Sequence, residues 1–70
     1  MSKIELKTIR KTNRLSQEKF AALVGVHRVT VSDWEHGRLE ILPAAELVAR
    51  IIEAHPELLP QMERWRGMRQ

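Results

Sequence analysis

Residues 17–36 read QEKFAALVGVHRVTVSDWEH, and this stretch decides the fold. Large apolar side chains recur three and four residues apart on both sides of Gly25, which is the spacing of one helical face. Glycine commonly ends a helix because it adopts left-handed backbone angles without a side-chain penalty. The stretch therefore predicts two short helices joined by a sharp turn. The apolar positions are Phe20, Leu23 and Val24 before the glycine and Val31 and Trp34 after it.

A short helix, a glycine turn and a second short helix form the pattern of a helix-turn-helix, whose second helix enters the major groove of DNA. Such a unit needs a small residue where the two helices cross, and Ala21 fills that position. Val26 lies in the turn and is expected to close the core. Trp34 is interpreted as a core residue rather than a base-stacking platform, because it falls in register with Val31.

The segments outside this stretch also carry helical patterns. Ser2 is a suitable cap for a basic first helix that ends near Asn13, with Ile4 or Leu6 joining Ile9 in its apolar stripe. The second helix is expected over 17–23 after the cap Ser16, and the third from His27 or Arg28 to Glu35. Pro43 suits the first turn of a fourth helix, whose predicted apolar stripe is Leu47, Val48, Ile51 and Ile52.

The end of the chain contains two further prolines. Pro56 begins a single predicted turn, and Pro60 is expected to interrupt the backbone before a last helix over 61–66. Residues 1–70 are accordingly predicted to form one all-α domain, a compact bundle of four or five helices containing a helix-turn-helix.

Composition restricts the function. A 70-residue chain holds one modest core, which disfavours an enzyme with a deep cleft, and no pair of catalytic groups is evident. The chain lacks cysteine, so disulfides and zinc–thiolate sites are excluded and a cytoplasmic location is favoured. No signal peptide and no apolar run approaching the roughly 20 residues of a membrane span are present. His27, His36 and His55 show no metal-ligand spacing, so neither a metal nor a cofactor is expected.

Charge is distributed unevenly along the chain. Residues 1–15 carry a net charge of +4, residues 16–38 are neutral, residues 39–63 carry −4 and residues 64–70 carry +3. This distribution either orients the molecule on a polyanion such as DNA or reflects the ordinary charge of solvated helix faces.

The chain resembles the Cro/cI-like family of helix-turn-helix regulators, also described as the xenobiotic-response-element type. The resemblance implies a lambda-repressor-like bundle, a transcriptional regulator, frequent homodimerisation and a pseudo-palindromic site in double-stranded DNA. It spans about residues 6–54. The residues that carry it are Arg10, Leu15-Ser16-Gln17, Phe20-Ala21, Val24-Gly25-Val26, Thr30-Val31-Ser32, Trp34-Glu35 and Gly37-Arg38.

The resemblance and side-chain chemistry together predict the base contacts. Arg28 suits a bidentate pair with guanine, Val29 a thymine methyl group, and Ser32 several base edges. Asp33 either accepts from a cytosine amino group or pairs with a basic neighbour. The resemblance implies that Gln17 contacts both phosphate and base.

A second set of residues is predicted to contact phosphates. Thr30 bonds either a phosphate or its own helix backbone, and Lys7 is either a phosphate ligand or a solvated lysine. Each phosphate contact adds affinity without sequence information and makes binding sensitive to salt. The predicted phosphate contacts are Lys7, Arg14, Ser16, Thr30, His36 and Arg38.

The resemblance also implies a structural ion pair between Arg10 and Glu35. The chain departs from the family at two positions: His27 replaces the usual small hydroxyl cap, and Lys19 stands where a capping box has glutamate. The third helix is therefore expected either to begin late or to fray.

Residues 56–70 form an apolar tail that either completes the monomer core or binds a partner. A homodimer is one such use. The stretch 50–57 is also similar to the end of antitoxin-type relatives, so a toxin-binding protein that autoregulates its operon is the alternative function. The tail residues concerned are Leu58, Leu59, Met62, Trp65 and Met68.

Overall fold

The computed structural model describes residues 1–67, and the regular elements within that range are all helical. The predicted all-α fold of four or five helices is confirmed, with five. The elements are α1 (Lys3–Thr12), α2 (Gln17–Val24), α3 (Arg28–Glu35), α4 (Pro43–Ala54), a 3₁₀ turn (Pro56–Leu58) and α5 (Leu59–Trp65).

Serine side chains begin the first two helices, as the sequence predicts. The Ser2 hydroxyl accepts a hydrogen bond from the Glu5 backbone N–H at 3.0 Å, and the Glu5 carboxylate accepts from the Ser2 N–H at 3.1 Å. This reciprocal pair is a capping box, which satisfies two N–H groups that the helix leaves without partners. Ser16 caps α2 by accepting from the Lys19 N–H at 3.0 Å. Gly25 ends α2 with φ +89°, a left-handed conformation.

The end of α1 makes the same kind of turn without a glycine. Arg14 has φ +58°, and among the described residues it is the one non-glycine residue with a positive φ. The Leu15 N–H donates to the Arg10 carbonyl and the Arg14 N–H to the Lys11 carbonyl, both at 3.0 Å. These two bonds form a Schellman motif, in which the left-handed position is usually glycine. Leu15 is buried immediately after the turn.

One hydrophobic core joins all five described helices, with α5 contributing Met62. Leu6 is completely buried on α1, whereas Ile4 is 71% exposed, so Leu6 and Ile9 form the apolar stripe of that helix. Trp34 is 1% exposed, which agrees with its predicted place in the core. Val26 is half-buried and packs against this core. The largest fully buried side chains are Trp34, Phe20, Leu6, Ile52 and Val31.

The inward face of α4 differs from the predicted stripe. Leu47 is 63% exposed, so its assignment to the core was wrong. Ile52 is completely buried as predicted, together with Ala45 and Ala49, and the three fall at the spacing of one helical face. Val48 and Ile51 are half-buried at its margin. Alanine at the contact lets another helix approach closely, and the spacing of large apolar residues does not indicate such a face.

The last helix begins earlier than predicted. Pro60 lies in the first turn of α5 rather than interrupting the chain, because an N–H at that position has no partner within the helix. Met62 is 9% exposed and belongs to the core of its own chain, so it is not an open interface residue in the monomer. Leu59 is half-buried against the core, whereas Leu58 and Trp65 are exposed. Met68 lies outside the described residues.

Candidate nucleic-acid interface

The outward side of α3 brings together four of the five predicted base-contact residues. A helix has 3.6 residues per turn, so these four positions fall within an arc of about 140°. Val31 and Trp34 lie on the opposite side and are buried. The core thus fixes the rotation of the helix about its own axis and leaves one polar side in solvent. The four residues are Arg28, Val29, Ser32 and Asp33, of which the first two are exposed and the others half-buried.

His27 caps the start of α3 with its imidazole. The Nδ1 atom accepts a hydrogen bond from the Val29 backbone N–H at 3.2 Å, and the residue has the extended backbone typical of an N-cap. The helix begins at Arg28, so the expected late start or fraying was wrong. A ring nitrogen replaces the hydroxyl oxygen as acceptor, a substitution that the residue type alone did not indicate.

The other end of α3 is held by polar contacts among residues predicted to bind DNA. His36 Nδ1 lies 2.8 Å from the Ser32 carbonyl oxygen and 3.3 Å from its hydroxyl. The Arg38 guanidinium donates to the Asp33 carboxylate at 3.2 Å, and the Arg38 N–H donates to the Asp33 carbonyl at 2.8 Å. Asp33 therefore pairs with a basic neighbour in the free protein, which was one of its two predicted roles.

A buried ion pair lies directly behind this face. Arg10 donates from Nε to one Glu35 oxygen at 2.7 Å and from Nη2 to the other at 2.9 Å. The two side chains are 8% and 3% exposed. Arg10 Nη1 also donates to the Leu15 carbonyl at 2.8 Å. One guanidinium therefore joins α1, the loop after it and the end of α3, in the fork geometry that arginine makes with a carboxylate.

Gln17 joins the same network from the first turn of α2. Its side-chain Nε2 donates to Glu35 Oε1 at 3.1 Å. The contact fixes the orientation of the amide, since the nitrogen must face the carboxylate. The second N–H of the amide and its carbonyl oxygen are not used in this bond. Gln17 is half-buried, so its position relative to α3 is determined within the protein.

The network determines the charge of Glu35. Burial alone raises the pKa of this carboxyl group, but hydrogen bonds from Arg10 and Gln17 and the positive charges of Arg10 and Lys7 outweigh it. The pKa of Glu35 is consequently lowered, and its negative charge is stabilised in the folded protein.

Basic residues of α1 border the same end of α3. Lys7 is exposed, and its charge acts on Glu35. A Cβ atom added to Gly37 would lie 3.3 Å from Lys3 Nζ, so Lys3 covers the turn that follows α3. Lys3 was missed as a candidate phosphate contact, although its spacing of four residues from Lys7 puts both on one face of α1.

Three further predicted phosphate contacts lie before α2, at its cap and on α3. Arg14 and Ser16 are exposed in the loop before α2 and at its cap. The Ser16 hydroxyl oxygen accepts the capping bond, which leaves its hydrogen available as a donor. Thr30 is half-buried and lies on the edge of α3 between the core side and the outward side.

The comparison with known families agrees with this geometry. The family model described as helix-turn-helix matches residues 6–56, well over half of the 70-residue chain. The chain belongs to the helix-turn-helix family. None of the curated proteins searched matches the chain. The matched family is the Cro/cI type of DNA-binding regulator, so the motif prediction is confirmed at the level of the family.

The matched residues show which part of this helix-turn-helix protein is shared with the family. It begins inside α1, contains α2, α3 and α4, and ends at the 3₁₀ turn, so α5 lies beyond it. Within residues 1–67, no helix has the length and apolar character needed to cross a membrane.

One further contact was missed by sequence reasoning: Arg66 Nε donates to the Ala22 carbonyl at 3.2 Å and so connects the end of α5 to α2.

Proposed function

We propose that this protein is a sequence-specific transcriptional repressor that acts in the cytoplasm and reads double-stranded DNA with α3 in the major groove. The outward side of α3 is the observation that carries the proposal. It offers a cation, an apolar surface and hydroxyl chemistry in one arc, on a helix whose rotation is fixed by Val31 and Trp34. Major-groove recognition requires such a side, because each base pair presents a distinct pattern of donors, acceptors and methyl groups there.

Arg28 is the leading specificity residue. It is exposed in the first turn of α3, and the described structure gives it no salt bridge that would compete with DNA. A guanidinium donates two parallel hydrogen bonds to O6 and N7 of guanine, worth about 1 to 3 kcal/mol against a wrong base. Val29 complements a thymine methyl group and is 47% exposed. Asp33 ranks last among the proposed base contacts, because a hydrogen bond to a base would require its salt bridge with Arg38 to break.

The phosphate contacts are proposed on both sides of this helix. Lys7 lies near Glu35 on one side, while Arg14 and Ser16 lie at the start of α2. Gln17 is held by Glu35 and supplies its remaining amide groups to the backbone or a base. These residues supply salt-dependent affinity and fix the register of α3 along the groove.

Selection of duplexes from a randomised pool tests this function. We expect the purified protein to enrich a defined half-site, and we expect Arg28→Ala to lose the preference for one guanine while still folding. Arg50→Ala is the matched control: it removes the same charge from α4, where Arg50 pairs with Glu5 and Glu53. Salt-sensitive binding without enrichment of any sequence would contradict a sequence-specific repressor.

A homodimer is the proposed assembly, with α5 at its interface. Leu58 is 39% and Trp65 71% exposed, and together they border an apolar groove of about 320 Å³. Two copies of a recognition helix spaced about 34 to 36 Å apart read successive turns of DNA, and a self-complementary patch produces such a twofold pair. The other residues lining the groove are Leu23, Ile51, Met62 and Arg66.

The same groove supports the alternative function, that of an antitoxin that binds a toxin partner and autoregulates its operon. Sedimentation of the wild type and Trp65→Ser separates the two. We expect a dimer that Trp65→Ser converts to a folded monomer with weaker DNA binding. A wild-type protein that stays monomeric at the concentrations where it binds DNA favours the antitoxin, and co-purification with the product of a neighbouring toxin-like reading frame would identify the partner.

A further inference from the structure

His27 does more in this structure than begin a helix. Its Nδ1 accepts from the Val29 N–H at 3.2 Å, and its side chain is nevertheless exposed at the end of α3 that carries Arg28. A serine cap that accepts this bond keeps only its short hydroxyl hydrogen as a donor, and an aspartate cap keeps none. Histidine has a second nitrogen, and no residue within the described range makes a hydrogen bond with it.

The capping bond determines which nitrogen carries the proton. An atom that accepts a hydrogen bond must present a lone pair, so Nδ1 is unprotonated whenever the cap is formed. The neutral ring then has its proton on Nε2. The cap therefore selects one tautomer and leaves an N–H donor on the far edge of the imidazole, at the end of α3 that carries Arg28.

We propose that His27 is a second DNA-reading residue, whose Nε2–H donates to a hydrogen-bond acceptor on the duplex beside the guanine read by Arg28. The acceptor is either a purine N7 or O6 atom or a phosphate oxygen. This inference rests on the proposed function, since it adds a contact to the same interface. It gives His27 two roles: Nδ1 positions Val29 and the first turn of α3, while Nε2–H contacts the DNA.

Two substitutions separate these roles. His27→Ser retains a capping oxygen but is too short to replace the Nε2–H, whereas His27→Ala loses both. We expect His27→Ser to keep the wild-type melting temperature and to bind its selected duplex about 3- to 10-fold more weakly, the effect of one hydrogen bond. We expect His27→Ala to have a lower melting temperature as well. A His27→Ser variant that binds like the wild type would overturn the proposed contact.

Single-base changes in the selected duplex identify the acceptor. If it is a purine edge, the loss in His27→Ser is confined to one base pair. If it is a phosphate, the loss is uniform across sequences, and the dependence of affinity on salt is unchanged, because the donor is a neutral imidazole. Both results support the donor role.

Nitrogen NMR of the histidine rings tests the tautomer without DNA. We expect His27 at pH 8 to show a protonated Nε2 and an unprotonated Nδ1, and the opposite tautomer would contradict the inference. The failures are distinguishable: a wild-type protein that binds no duplex refutes the proposed function, whereas normal binding by His27→Ser refutes only the role of His27.

Discussion

Arg14 holds a backbone conformation that arginine seldom adopts. Its φ of +58° lies in the left-handed region, where a side chain costs roughly 1 kcal/mol that glycine avoids. The side chain is exposed at the entrance to α2, where the sequence predicts a phosphate contact. Residues that keep such a conformation at a cost in stability are concentrated at functional sites.

Replacing Arg14 by glycine should change stability and DNA binding in opposite directions. We expect Arg14→Gly to raise the free energy of unfolding by about 1 kcal/mol, because the left-handed strain is removed. We also expect the slope of affinity against salt to fall by about one, because one phosphate contact is lost. Urea unfolding and a salt titration measure the two effects. Arg14→Lys is the control that keeps the charge and the strain, and an Arg14→Gly variant with full DNA affinity would exclude the phosphate contact.

A second prediction at the scale of the residue concerns Glu35, whose buried carboxylate is paired with Arg10. Removing one member of a buried pair leaves the other charge unpaired, so Glu35→Gln should lower the free energy of unfolding by about 3 to 5 kcal/mol. Glu53→Gln is the control, since it breaks the exposed pair with Arg50 and should leave stability close to that of the wild type. Equal stability of Glu35→Gln and Glu53→Gln in urea would show that the buried network does not hold α3.

The lowered pKa of Glu35 also predicts a pH dependence. Its contribution to stability is complete above the ordinary glutamate pKa of about 4.3 and is lost as pH falls through the lower folded-state value. We expect the wild type to lose stability between about pH 5 and pH 3, and Glu35→Gln to show a shallower decline. Thermal unfolding across this range measures the difference, and parallel curves for the two proteins would contradict it.

At the scale of the element, α4 is packed through small residues. Ala49 is completely buried and Leu47 is 63% exposed, the reverse of what their sizes suggest. We expect Ala49→Leu to destabilise the fold by about 1 to 3 kcal/mol, because the added atoms have no space at the contact. We expect Leu47→Ala to change stability by less than about 0.5 kcal/mol. Similar losses in both variants would show that α4 packs with a different face.

The sequence was sufficient to predict the end of a helix wherever a single residue specifies that end. Ser2, Ser16 and Gly25 lie at the ends of helices because each satisfies or terminates the backbone by its own chemistry. The inward face of α4 could not be predicted in this way, because it depends on how closely another helix approaches. The same holds for Pro60, which is compatible with either a break or a first turn.

The candidate site was predictable to a similar degree. The spacing of Val31 and Trp34 was sufficient to predict which side of α3 faces outward. The contacts that orient this side could not be predicted, since the Gln17–Glu35 bond joins residues 18 positions apart. The cap by His27 was also missed, because its Nδ1 atom accepts a hydrogen bond in only one of the two neutral tautomers.

At the scale of the molecule, positive charge is concentrated near one end of α3. Residues 1–15 carry a net charge of +4 and residues 39–63 carry −4. The basic segment includes Lys3 and Lys7, which lie beside the end of α3. Such polarity favours one orientation on a polyanion before any base is read. Base contacts and phosphate contacts are therefore expected to make separable contributions to binding.

Binding titrations of Arg28→Ala and Lys7→Ala, on the selected duplex and on its single-base variants at several salt concentrations, test the central claim most directly. The account predicts that Arg28→Ala loses about 1 to 3 kcal/mol of discrimination at one base pair. It predicts that Lys7→Ala weakens binding equally on every duplex and lowers the salt slope by about one. Unchanged base discrimination in Arg28→Ala would contradict the claim that α3 reads the DNA sequence through that residue.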